Sequence, residues 1–469
     1  MSRAIDRASL EKVEAIFRNP ALYRLADEIP ESRPEAGGRP RTFPRYMTLA
    51  YAALTSVYRS ARQVEAELSH PVVWQHIRDV VRAEFPDRPE MHLPPSPIRR
   101  HHFLYARERD LTKPAVVQRL SERARLLAVA EARRQGLLDP QGGGSWTSPS
   151  RNRLLYADGK VIAPLFRAKP GDERVDRETG ELLPRRAEPD AALHFEGDGE
   201  AAWGTKFVMV AARGEEPGTR VLLDIEPVRE PGAEAARAMG CFRRLAPLVP
   251  GAQAVVYDTA LRGIHHQELL RDLGLLPVNR VAAASRGARA PRRGEGRRVP
   301  KNVHVEDKLV TTPSGKRTVS LYAQDGAVGV VVLNEVGERL FEPLRRVRTH
   351  RIADKSGSFR WYNDYELPER LGGGTVTVRL HGNADDQTRR FNRPENVRAI
   401  APSDPRFEHL YSRRNDAESI NRHLEDTLFL GRAHSVGMRR QHVDLLGYAL
   451  LVNGMSRLRH ERSPAAAAA

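Results

Sequence analysis

Apolar residues recur at helical spacing through the first 138 positions, gather into short blocks from 153 to 280, alternate from 281 to about 405, and return to helical spacing from about 409. Met47, Tyr51, Leu54 and Tyr58 fall on one face of a predicted helix, Ser60 and Gln63 have the spacing of a capping box that opens a second, and Pro71 suits the first turn of a third. Arg41, Arg45, Arg59, Arg62 and Arg78 lie in or beside these helices, a pattern that fits either a helix-turn-helix-like DNA reader or a small bundle with a solvated basic face. A basic segment, IRRHHFLYARERDL (98–111), precedes a predicted helix from Pro114 to Gly136, and the Gly, Ser and Pro of residues 139–152 read as a linker.

The next region reads as strands at 152–166, 205–213 and 220–228, a helix at 232–247, a strand within 251–263, a helix at 265–274 and a short strand at 275–280. That order predicts an α/β fold, a mixed sheet with helices on its faces. Residues 281–405 read as a β-rich insertion, with strands at 317–323, 329–334 and 374–382. Helices at 409–430 and 437–460 follow, then a disordered tail at 463–469. The domain reading is therefore a helical segment 1–138, a linker 139–152, a core 153–280, the insertion 281–405 and a return to the core at 406–462.

At 469 residues the chain is long enough for two or three domains. Its net charge of +16, carried mostly by arginine, points to a polyanionic partner, because guanidinium forks match phosphate oxygens and release counterions. The single Cys241 excludes an internal disulfide framework and a cysteine-based zinc site. The absence of a long apolar run and the charged N-terminus lead to the expectation of a soluble, cytoplasmic protein with no membrane partner.

The chemistry rests on three acids. Asp158 lies in NRLLYADGKVIAPLF (152–166), Asp258 in GAQAVVYDTALRG (251–263), and Glu418 in YSRRNDAESINRHLE (411–425). Convergent carboxylates are what an enzyme needs to hold two divalent ions about 3.5–4 Å apart for phosphoryl transfer. Tyr411, Arg414, Glu418, Arg422 and Glu425 follow steps of three, four, four and three, which puts them on one stripe of a predicted helix. Such a stripe suits a metal and a phosphodiester, with Glu418 as ligand and the arginines on phosphate; a solvated face of Glu–Arg pairs has the same spacing.

These residues resemble the DDE transposases of bacterial insertion sequences, in the group with a Tyr-x2-Arg-x3-Glu-x6-Lys signature and a β-rich insertion before the Glu. Tyr411, Arg414 and Glu418 match the signature, while Glu425 stands where the group has Lys, and Arg422 on the same stripe is the candidate for the missing positive charge. YADGKVI (156–162), VVYDTALRG (255–263) and RTFPRYMTLAYAALTSVYRSARQVEAEL (41–68) resemble the first-Asp strand, the second-Asp strand and the N-terminal helical region of that group. The resemblance implies a ribonuclease H-like mixed sheet preceded by an all-α domain that binds element ends. It implies Asp158, Asp258 and Glu418 as catalytic residues holding two Mg²⁺ ions, with Mn²⁺ able to substitute. It further implies double-stranded DNA, as terminal repeats and target, as the partner of a homodimer located at the nucleoid, and strand cleavage and transfer as the reaction.

Other residues carry weaker expectations. Trp361 among basic residues is a candidate to stack on an extruded base, or an ordinary core tryptophan, the more frequent case. Arg292, Arg293, Arg297 and Arg298 are candidate phosphate contacts in an Arg/Gly loop. His265 and His266 resemble a metal pair superficially, since adjacent helical residues diverge. Asp224 and Glu226 read as surface carboxylates. Two rivals remain: a non-catalytic DNA-binding protein derived from a transposase, favoured by Glu425, and a glycoside hydrolase using paired carboxylates, which would need neither the arginine stripe nor the charge.

Overall fold

In the computed structural model, which describes residues 6–31, 41–195, 200–216, 218–281, 302–312 and 315–463, seven helices come first. They are α1 (Arg7–Phe17), α2 (Pro20–Ala26), α3 (Tyr46–Tyr58), α4 (Ala61–Leu68), α5 (Pro71–Glu84), α6 (Arg100–Ala106) and α7 (Pro114–Arg134). Strands β1 (Leu154–Ile162), β2 (Glu173–Val175), β3 (Leu182–Pro184), β4 (Ala192–Phe195), β5 (Ala201–Arg213) and β6 (Arg220–Val228) follow, then α8 (Glu234–Leu245), β7 (Ala254–Val256), α9 (Gly263–Arg271) and β8 (Leu276–Val278). Seven more strands are β9 (Val303–Thr312), β10 (Gly315–Gln324), β11 (Ala327–Leu333), β12 (Arg339–Pro343), β13 (Arg345–Ala353), β14 (Phe359–Glu366) and β15 (Thr375–Arg379). The chain continues through α10 (Ala384–Thr388), α11 (Arg393–Asn396), α12 (Phe407–Tyr411), α13 (Arg414–Thr427) and α14 (Met438–Glu461). The protein is mixed α/β, and it divides into two compact units, Met1–Leu137 with Gly159–Cys241 and Ala417–Ala469, and Leu138–Asp158 with Phe242–Asp416.

In the first unit the N-terminal helices close around α14. Val443, Leu446, Leu450 and Leu451 of α14 share one hydrophobic core with Val13, Phe17, Met47, Leu54, Ile77 and Leu120. Two glycines set this packing. A Cβ at Gly447 would lie 2.7 Å from backbone atoms of Ala52 and Ala53 on α3, and one at Gly454, two turns on, would lie closer still to the Ala15 carbonyl oxygen on α1. The helical segment 1–138 read from sequence therefore has its core completed by a helix more than 300 positions away.

Polar groups fix the rest of α14. Asn453 Oδ1 accepts from Leu222 N at 2.7 Å and its Nδ2 donates to Leu222 O at 3.0 Å, so one amide reproduces a strand partner for β6. The helix begins where Gly437 N donates to Glu188 Oε2 at 2.9 Å and Met438 N to Asp190 Oδ2 at 2.7 Å, two carboxylates at the positive end of the dipole. Burial raises the Glu188 carboxyl above its ordinary range. Ser60 caps α4 by accepting from Gln63 N at 3.2 Å, but the Gln63 side chain turns to Glu67, so half of the expected capping box forms.

The second unit holds the parallel strands. The first half of β1 pairs with β7, and β7 with β8. Its remaining strands build two antiparallel sheets, β12-β11-β10-β9 and β13-β14-β15, as the alternation at 281–405 predicts. Residues 139–152 do not behave as a linker. Trp146 packs edge-on to Trp361, Thr349 N donates to Thr147 Oγ1 at 2.9 Å, and Arg153 donates to Gly251 O at 2.6 Å and Gly142 O at 3.0 Å. Of the glycines that mark a flexible segment in sequence, Gly144, at positive φ, lies tight against the backbone of Ser150, while Gly143 faces open space. The tail at 464–469 lies outside the described residues, among which no helix is long and apolar enough to cross a membrane.

Gly447→Ala is expected to lower stability by about 1–3 kcal/mol, since the added methyl meets backbone that cannot rotate away. Denaturant unfolding of the full chain reads this; an unchanged midpoint would mean that α14 and α3 tolerate a wider separation.

Candidate functional site

β1 and β7 are parallel with Leu154, Leu155 and Tyr156 opposite Ala254, Val255 and Val256. The offset is 100, and continuing it two residues past the end of β7 sets Asp158 opposite Asp258. Their carboxylates each offer an oxygen within 4.8 Å of the other, and both residues are half-buried. Strand register together with the turn after β7 thus makes neighbours of two aspartates distant in sequence.

The loop carrying Asp258 is held from both sides. Asp258 Oδ1 accepts from Ala260 N at 2.8 Å, an Asx turn that leaves Oδ2 outside that bond. Asn279, fully buried just after β8, donates from Nδ2 to Leu261 O at 3.2 Å and Asp258 O at 3.4 Å. Gly263 N, opening α9, donates to the Glu395 carboxylate.

In the first unit a third carboxylate reaches the same strand. Glu234, at the start of α8, lies against Gly159, so close that any Cβ there would collide with its carboxylate. Lys206 of β5, itself buried, ion-pairs with Glu234. Glu234 was not singled out in the sequence; its signal was the glycine after Asp158, since a lone glycine in a strand marks a close approach.

Glu418, Arg422 and Glu425 lie exposed on α13 in the first unit, with Glu425 ion-paired to Lys160 of β1. Arg414, half-buried, begins α13. Tyr411 departs from the expected stripe. It ends α12 and is buried, its ring stacked on Phe407 at 4.9 Å with the Arg280 guanidinium 5.1 Å from its centroid. The helix breaks at Ser412 and Arg413, where Arg413 folds inward to pair with Asp416 at 2.9 Å. The predicted single helix is therefore two.

Trp361 is a core residue, as the commoner of its two readings had it. It is fully buried and donates from Nε1 to Leu270 O at 2.6 Å, so it has no exposed face for a base to stack on. Arg292, Arg293, Arg297 and Arg298 lie outside the described residues. Asp224 is not a surface carboxylate: it is buried and paired with Arg125 at 3.0 Å. His265 Nδ1 accepts from Arg262 N at 3.1 Å and caps α9, while His266 is buried with Nδ1 facing Pro394 O, so the pair diverges.

No protein-family model matches the chain, and no curated protein does. Three solved chains match. One is from the cryo-EM structure of the piggyBac transposase synaptic complex with hairpin DNA, at 12% identity and a TM-score of 0.28, with 97% of this chain and 82% of that one covered. An overlap that low carries no argument about fold or function.

Burial pushes the imidazole of His266 well below its ordinary value and that of His381, which accepts from Trp361 N, down to about 4. Both are neutral when folded and take up protons more readily when unfolded, where the value is about 6.5. Their stabilisation is thus present above about pH 6.5 and is lost as pH falls toward 4, by up to about 3 kcal/mol for His381. Denaturation midpoints measured across that window should fall with acidification, and the slope should flatten in His381→Gln; an identical slope would exclude His381 as its source.

Proposed function

We propose that the protein is a transposase of the DDE type, cutting and joining DNA strands at the ends of a mobile element, with Asp158 and Asp258 at its centre. The observation that carries this reading is the strand register that sets these two carboxylates side by side. Two convergent carboxylates with oxygens within 4.8 Å of one another are hard donors of the kind that Mg²⁺ or Mn²⁺ takes. All-carboxylate donors favour such ions over zinc or copper. A divalent ion in such a site supplies Lewis-acid polarisation of the phosphodiester and activation of the attacking hydroxyl.

The residues have separable roles in this reading. Asp158 and Asp258 are the primary ligands, with the Asx turn and Asn279 holding Asp258 in place. Glu418 is the third acid in this reading, and Glu234, which lies against Gly159, is the alternative to it. Arg414 and Arg422 contact phosphate. The net charge of +16 favours double-stranded DNA as the partner, and the two ends of an element call for a homodimer.

Cleavage of DNA carrying the element's flanking ends, with Mg²⁺ or with EDTA, tests the function. Metal-dependent cutting is expected to fall at least about a thousandfold in Asp158→Asn and Asp258→Asn, since the site is asked for several kcal/mol of transition-state stabilisation. Of Glu418→Gln and Glu234→Gln, the variant with the larger loss identifies the third ligand. End binding without cutting in the unmodified protein would replace this reading with a non-catalytic DNA-binding one.

A further inference from the structure

The row on which Asp158 and Asp258 stand has a third member. β8 runs parallel to β7 with Leu276, Pro277 and Val278 opposite Ala254, Val255 and Val256, an offset of 22. Carried two residues further, that register sets Arg280 level with Asp258. The two segments stay together that far, since Tyr257 N donates to Val278 O at 3.3 Å and Asn279 Nδ2 to Asp258 O at 3.4 Å. Side chains alternate along an extended chain, and here Asn279 is buried while Arg280 is exposed. Asp158, Asp258 and Arg280 all belong to the second unit. With adjacent strands about 4.8 Å apart, the row they form is about 10 Å long.

The same unit holds the Arg280 side chain in place. Its guanidinium carbon lies over the ring of Tyr411, 5.1 Å from the centroid, and that ring is buried and stacked on Phe407. A cation–π contact fixes the charge without using up the fork of N–H donors that matches phosphate oxygens. Arg280 Nη2 also forms an ion pair of 3.5 Å with Glu408 Oε1, and the two side chains are 57% and 72% exposed. So exposed a pair is weak, and it yields to a phosphodiester that can take two N–H groups at once.

We propose that Arg280 contacts the phosphodiester held at the Asp158–Asp258 pair, with Tyr411 as the ring that positions it. This rests on the function proposed above and adds a substrate contact to it. Both aspartates are negative and so is the DNA backbone, and negative charge grows further on the phosphate oxygens as the transition state forms. A guanidinium at the end of the row is placed to answer that charge. Tyr411, a candidate to meet DNA itself, then acts through Arg280, which accounts for its burial.

The test uses the full chain and four proteins: unmodified, Arg280→Ala, Arg280→Lys, and Arg339→Ala, which removes the same charge from an exposed position on β12 of the same unit. Mn²⁺ affinity is read by electron paramagnetic resonance without DNA, kcat/KM by cleavage of DNA carrying the flanking ends, and folding by melting temperature. Arg280→Ala is expected to melt normally, to bind Mn²⁺ as well as the unmodified protein or up to about fivefold tighter, and to lose about 10- to 100-fold in cleavage. Arg280→Lys, which keeps the charge without the fork, should fall between, and Arg339→Ala should stay within about twofold of the unmodified protein. Normal cutting by Arg280→Ala would overturn the proposal. So would a loss of Mn²⁺ affinity in step with cleavage, which would make Arg280 a support for Asp258, or an equal loss in Arg339→Ala, which would make the effect one of bulk charge. An unmodified protein that cuts no DNA would remove the function itself, and the substrate contact with it.

Discussion

The pairing of β1 with β7 in a register offset by 100 residues is the constraint from which the candidate centre follows. A slip of one residue would turn one of the two aspartates to the opposite face, because side chains alternate strictly along a strand. Leu154, Leu155, Tyr156, Ala254, Val255 and Val256 are all buried, so the pairing keeps six apolar side chains from water. The acids are thus positioned by hydrophobic residues beside them. Asn279 and Glu395 then stiffen the turn in which the second acid sits, and the opening of α9 is tied to the same framework.

What was legible in the sequence was local. The strands around Asp158 and Asp258, the helices at 114–136 and 437–460 and the β-rich run after 281 follow from periodicity and from the residues that begin and end each element. What was not legible depended on partners far along the chain. The break between α12 and α13 falls where Arg413 is buried against Asp416, a tertiary feature that spacing alone does not reveal. Residues 139–152 have the composition of a linker, and only the surfaces of Trp361 and Thr349 make them a packed segment. Glu234 was hidden for the same reason, since its place beside β1 is set by α8 and by Lys206.

Arginine needs a second reading as well. Arg393, Arg398 and Arg413 are among the largest fully buried side chains, and Arg393 makes a two-bonded fork with Asp386. Arg351 lies 4.1 Å from the ring centroids of both Trp146 and Phe359 and donates to Gly274 O, so aromatic faces and a carbonyl hold it in place of a carboxylate. Part of the arginine content is therefore interior material, joining loops and sheet edges whose carbonyls would otherwise be unsatisfied. The net charge of +16 stands, but the number of arginines overstates how many are free to meet an anion.

The glycine contacts that seat α14 against α1 and α3 bear on how the molecule is made. A ribosome releases α1 through α7 long before it reaches Gly447, and until then the apolar faces of Val13, Met47 and Leu54 lack the helix that covers them. Contacts of such long sequence separation slow folding and leave sticky surface exposed meanwhile. Synthesis of the chain therefore passes through a long interval in which the N-terminal core lacks the C-terminal helix that completes it.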